Sequence, residues 1–153
     1  MKRFILPLLA VAFASVVFTS CDDTEAVVLT TYYNIKPSEW QPQYSDNGNG
    51  SGTLVYYYAP CGNSNLDAEA FQRGAVTAYL CTDEGDKPLP YTLYNQADTD
   101  GDGLFDAYWE DHFSYDIQNG GITFLLQASD FRPDLTMSRL GTLQFKVCVI
   151  RNF

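Results

Sequence analysis

Residues 143–150 read LQFKVCVI. The odd positions Leu143, Phe145, Val147 and Val149 are all apolar, whereas the even ones mix Gln144 and Lys146 with Cys148 and Ile150. The run is rich in β-branched and aromatic side chains and short for a globular helix, so it predicts a strand. Its weak alternation predicts a central strand buried on both faces. Residues 122–128, ITFLLQA, are the second strong strand signal.

Further strands are expected at Leu54–Ala59, Ala75–Cys81, Leu89–Tyr94 and Trp109–Ile117. Val27–Ile35 joins them, with Val27, Leu29, Thr31, Tyr33 and Ile35 on alternate positions. Glu39–Tyr44 is expected at a sheet edge, because Pro42 has no N–H for a ladder. The turn formers SDNGNGSG at 45–52 make a loop between it and Leu54–Ala59. Ser64 and Asp67 have capping-box spacing, which predicts a short helix from Leu66 to Arg73 closed by Gly74. Many short strands and one short helix predict an all-β fold, an antiparallel β-sandwich of immunoglobulin-like type, with a barrel as the alternative.

The N-terminus reads as a targeting segment. Lys2 and Arg3 precede an apolar run from Phe4 to Phe18, which is short for a bilayer span of roughly 20 residues. Phe18-Thr19-Ser20-Cys21 follows and resembles the lipobox of bacterial lipoproteins, although Phe18 stands where an aliphatic residue is usual. That resemblance implies that Cys21 is acylated and residues 1–20 are removed. Ordinary signal cleavage near the same place is the alternative. Asp22, Asp23 and Glu25 directly behind the cysteine resemble the acidic export signal of surface lipoproteins of Bacteroidota; a solvated acidic tether over 21–26 is the other reading. The sandwich domain is then 27–153. Its order GAVTAYL, PLPYTLY, ITFLLQASDF and FKVCVI is similar to small uncharacterised lipoproteins of Bacteroidota. This similarity implies an all-β body and an outer-membrane location, on the periplasmic face or the cell surface, and it carries over no activity.

Charge narrows the partners. Without Lys2 and Arg3, seven of the nine basic residues remain against nineteen acids, a net charge of −12. Such a surface repels phosphate, so nucleic acid is excluded as a partner and divalent cations are favoured. With Cys21 assigned to lipid, three cysteines remain. Cys81 and Cys148 are the preferred disulfide pair, the alternative being that all three pack as small apolar groups.

Residues 98–111, DTDGDGLFDAYWED, hold the clearest chemical signal. Asp98, Asp100 and Asp102 alternate, Gly103 follows, and Asp106 stands four residues after Asp102. The spacing resembles the first nine positions of an EF-hand loop and the aspartate repeats of thrombospondin type 3 and dockerin-like modules. Calcium takes six to eight hard oxygens at about 2.3–2.6 Å, and alternating aspartates on a tight loop can aim several at one centre. The resemblance assigns side-chain oxygens to Asp98, Asp100 and Asp102, the backbone carbonyl to Leu104, and direct or water-mediated contact to Asp106. The twelfth position is Trp109 rather than an acid, so Glu110, one residue late, is the candidate closing ligand. A metal-free solvated turn is the alternative.

No catalytic constellation is expected. His112 is the single histidine, and its neighbour Asp111 points to the opposite face of any strand. Glu110, Asp111, Asp130 and Asp134 could serve a hydrolase, but any acidic chain offers such carboxylates. Eleven tyrosines and two tryptophans suggest a binding surface instead, with Trp40 and Trp109 as a candidate ligand platform. The expected function is a lipid-anchored cell-envelope binding or structural module stabilised by one calcium ion. A glycan-binding accessory protein or a hydrolase is the alternative, and the protein or glycan ligand is open.

Overall fold

A computed structural model of the chain describes residues 26–46, 52–130, 136–137 and 139–152. The signal segment, Cys21, most of the acidic tether, the centre of the 45–52 loop and Asp134 lie outside the described residues.

Nine strands form two antiparallel sheets. Among the described residues they are β1 (Ala26–Ile35), β2 (Gln41–Asp46), β3 (Gly52–Gly62), β4 (Ala75–Thr82), β5 (Gly85–Pro88), β6 (Tyr91–Ala97), β7 (Ala107–Gln118), β8 (Gly121–Ala128) and β9 (Leu143–Asn152), with a short helix, α1 (Ala68–Arg73), and further helical residues at 136–137 and 139. One sheet has the order β1-β9-β4-β5 and the other β2-β3-β8-β7-β6. Two sheets with a shared apolar interior make this an all-β sandwich, and neither sheet closes into a barrel.

The core lies where inward positions of the two sheets meet. Phe145 on β9 stacks on Phe124 of β8 with ring centroids 4.2 Å apart. It also meets Phe113 of β7 at 6.3 Å and Trp40 at 6.2 Å. Val147 and Val149 continue its face, opposite Ile122 and Leu126, all of them fully buried. β9 is central, as expected, between β1 and β4. Its other face is only half-covered, however: Lys146, Cys148 and Ile150 keep partial exposure. Cross-strand neighbours shelter that face, with Lys146 lying 4.5 Å over the Tyr79 ring and ion-paired with Asp86.

Pro42 lies on the edge strand β2, where its missing donor costs no ladder bond. Four other expectations change. Glu39 belongs to a 3-10 turn before β2, its carboxylate accepting from Lys36 N at 2.7 Å. Leu89–Tyr94 is not one strand: β5 ends at Pro88 in one sheet and β6 begins at Tyr91 in the other. The N–H of Leu89 still reaches Ala78 O on β4 at 2.9 Å, and Pro90, which has no donor, follows directly before β6 begins in the other sheet. The helix begins after Asp67, whose own carboxylate caps it by accepting from Ala70 N at 2.9 Å. Asn63, not Ser64, turns the chain before it, its side chain accepting from Asn65 N at 3.0 Å. Gly74 has extended rather than left-handed backbone, with φ −85° and ψ 174°. It is glycine because a Cβ there would lie 2.6 Å from Ala70 O and 2.8 Å from Ile150 O.

The Cys81–Cys148 disulfide is also overturned. Cys61, Cys81 and Cys148 are all free. Cys81 pairs with Gln144 in the β4–β9 ladder and Cys148 with Thr77. Four residues of strand separate the two cysteines, roughly 13 Å, against a Cα span of about 4.4–6.8 Å for a disulfide.

Candidate functional site

β6 and β7 pair from Tyr91↔Phe113 to Ala97↔Ala107, and the acidic loop joins their ends. It is anchored where Asp106 N donates to Ala97 O at 3.0 Å. Asp98 accepts from Gly101 N at 2.6 Å and from Gly103 N at 2.8 Å. Asp100 accepts from Asp102 N at 3.2 Å, and Asp102 from Leu104 N at 2.8 Å. Gly101 and Gly103 have φ of 79° and 88°, the left-handed backbone that favours glycine. These turns bring one carboxylate oxygen each from Asp98, Asp100 and Asp102 within 4.8 Å of one another. The Gly103 and Gly101 N–H groups hold the Asp98 carboxyl below the usual carboxylate range. The donor set is all hard oxygen, which suits calcium.

The other expected ligands lie elsewhere. Asp106 is occupied by Thr99, accepting from its N at 2.9 Å and from its hydroxyl at 2.6 Å. Those bonds, the hydroxyl's foremost, also lower its pKa. Glu110 is in the β6–β7 ladder opposite Tyr94, on the outer face, and is not in the aspartate cluster. Where an EF-hand loop would run into a helix, this loop runs into β7, which starts at Ala107. Leu104 has an exposed side chain and a backbone N–H held by Asp102.

Trp40 is a correction. It is buried in the core against Phe145, and an enclosed ring cannot serve as a ligand platform. Trp109 is half-buried, with the Arg139 guanidinium 3.9 Å over its ring and its Nε1 3.3 Å from Asp111 Oδ2. Arg139 bonds in turn to Asp130 at 2.9 Å. A cavity of about 570 Å³ lies there, with Thr99, Asp106, Trp109, Asp130 and Arg139 among its walls.

Asp111 and His112 point to opposite faces, as alternation requires. His112 is outside, its Nδ1 3.0 Å from the Thr92 hydroxyl. Asp111 is inside, 5% exposed, with Oδ2 accepting from Asn95 Nδ2 at 2.8 Å and Oδ1 without a partner among the described residues. Burial pushes its pKa up, against the lowering by the Trp109 bond and the Arg139 charge; Asp130 adds to the rise. A carboxyl raised on folding contributes stability that is complete below its unfolded value, about 3.9, and is lost as pH rises through the folded value. Asp111→Asn therefore gains on the wild type between pH 4 and pH 7, whichever is the more stable at pH 4. Urea melts at both pH values check this. Burial likewise pushes the Cys61 and Cys81 thiols up, away from the reactive thiolate.

A second cleft lies on the outer face of the same hairpin, holding about 350 Å³ between Tyr94, Gln96, Tyr108, Glu110 and Ser129. Sequence reading passed over Tyr94 and Tyr108 in favour of the tryptophans. The available signal was strand alternation, which sets Tyr94 and Gln96 on one face of β6 and Tyr108 and Glu110 on the same face of β7. Comparison with family models, with curated proteins and with solved structures finds no match to this chain.

Proposed function

We propose that this chain is a lipid-anchored module of the bacterial cell envelope, held at the outer membrane through Cys21, with its β6–β7 connection pinned by one calcium ion. The observation that supports it best is the gathering of Asp98, Asp100 and Asp102 within 4.8 Å on two glycine turns. In this reading the ion neutralises clustered charge, with the Leu104 carbonyl and water completing a coordination shell of six to eight oxygens. Its role is structural and the module is non-catalytic: it binds rather than transforms. Similarity of the Phe18–Cys21 segment to a lipobox supports the anchor, and no helix among the described residues is long and apolar enough to cross a membrane.

Extracellular calcium modules bind at roughly 10⁻⁴–10⁻³ M. With Kd of about 0.1 mM and calcium of about 1 mM, ligand linkage stabilises the fold by ~1.4 kcal/mol. Thermal unfolding in EDTA, then with calcium and with magnesium, tests the loop. The expected result is a midpoint raised by calcium more than by magnesium, and an Asp98→Ala/Asp100→Ala variant that does not respond. An equal midpoint in EDTA and in millimolar calcium sinks this reading of the loop. For the anchor, Cys21→Ala is expected to move the protein from the membrane fraction to the soluble fraction; retention in the membrane fraction rejects acylation at Cys21.

A further inference from the structure

The outer face of β6 and β7 carries a patch that the calcium reading does not use. Tyr94 lies opposite Glu110 in the ladder, and Gln96 opposite Tyr108. The two tyrosines therefore sit on one diagonal and the two hydrogen-bonding side chains on the other. Tyr94 is 76% exposed and Tyr108 is 70% exposed, the largest values among the exposed large hydrophobic residues described. Neither ring is covered, yet Tyr108 is held in place, its hydroxyl donating to Phe105 O at 3.0 Å. Ser129 fixes the floor, its hydroxyl accepting from Glu110 N at 2.8 Å and its own N–H going to Glu110 O at 2.8 Å. The cavity of about 350 Å³ over this patch adjoins another of about 260 Å³ lined by Glu110, His112, Gln127 and Ser129. The two share Glu110 and Ser129, so they form one trough along the sheet.

From this geometry we infer that the Tyr94–Tyr108 trough binds a neutral polysaccharide. The inference rests on the reading of the chain as an envelope binding module. A pyranose ring has an apolar C–H face and a rim of hydroxyls. Two exposed phenol rings offer stacking surfaces for the first, and Glu110, Gln96, Gln127 and Ser129 offer donors and acceptors for the second. Charge chooses among ligands. No Lys or Arg lines either cavity and Glu110 is an acid, so sulfated, phosphorylated or uronate chains are repelled. A purely apolar ligand would strand Glu110 and Gln96 away from water without partners. Two joined cavities suit an extended chain better than a single sugar. The Tyr108 ring, already held by its hydrogen bond to Phe105 O, loses little freedom when a ligand arrives.

The test is affinity electrophoresis of the full chain in mild detergent through gels containing soluble glucan, mannan, xylan or galactan. Polygalacturonate and chondroitin sulfate serve as anionic controls. The expected result is retardation by at least one neutral polymer, with roughly tenfold weaker binding in both Tyr94→Ala and Tyr108→Ala. Both rings are exposed, so thermal midpoints of the variants should match the wild type and separate lost binding from lost folding. Retardation by no neutral polymer, retardation only by the anionic ones, or binding unchanged in both variants overturns the site. Calcium-dependent melting of the same preparation reads the loop separately. A calcium response without retention therefore removes the glycan site and leaves the envelope reading standing.

Discussion

Phe145→Ala lowers the stability of the fold by about 4 kcal/mol, the middle of the range for truncating a buried phenylalanine. The side chain is fully buried on the central strand β9 and stacks on Phe124, with Phe113 and Trp40 at its edges. Those three partners come from the opposing sheet and from the turn entering it, so one truncation opens a cavity between the layers. β9 has β1 on one side and β4 on the other, which leaves its backbone little freedom to move in and fill the space. The loss lowers the thermal midpoint by about 15 °C for a domain of this size. Val28→Ala, on the exposed face of β1, is the control and should change stability by less than about 0.5 kcal/mol. Paired urea melts measure both. Equal midpoints for the two variants would mean that Phe145 does not join the sheets.

Gly74→Ala costs about 2 kcal/mol, as overpacking against fixed atoms does. The added methyl would meet Ala70 O at 2.6 Å and Ile150 O at 2.8 Å, both backbone atoms. Neither can rotate away, so α1 must lift from β9. That movement also strains the ties across the gap: Arg151 on β9 bonds to Asp67 at 3.0 Å and to the Asn65 carbonyl. Gly62→Ala is the matched control, since nothing lies within 4 Å of its added Cβ. The same melts should place Gly62→Ala within about 0.5 kcal/mol of the wild type. A harmless Gly74→Ala would show that the α1–β9 contact is looser than described.

The fold was legible where β-branched and aromatic residues run together. The runs at 143–150 and 122–128 mark strands, but the weak alternation of 143–150 points to burial on both faces, whereas the structure buries the Phe145, Val147 and Val149 face and only half-covers the other. The sheet to which each strand belongs was not legible. Pro88 and Pro90 mark a break, but no local signal says that β5 and β6 part into different sheets. Gly74 closes the helix as its position predicts, but the reason that it must be glycine, its size, was not legible. That depends on Ile150, distant in sequence and set by the β4–β9 register. In the acidic loop, the cluster of Asp98, Asp100 and Asp102 follows from spacing. Asp106 departs because Thr99 is a nearer partner, and Glu110 departs because strand alternation turns it to the outer face. Only residue type points to Trp40 as a platform, and residue type does not say which rings the core encloses.

The claim that the loop is a calcium site is tested most directly by a crystal grown in millimolar calcium and measured for anomalous scattering. The expected result is a peak at about 2.3–2.6 Å from carboxylate oxygens of Asp98, Asp100 and Asp102, absent from the Asp98→Ala/Asp100→Ala variant. A map with no peak at that cluster, or with calcium only at unrelated surface carboxylates, would contradict it.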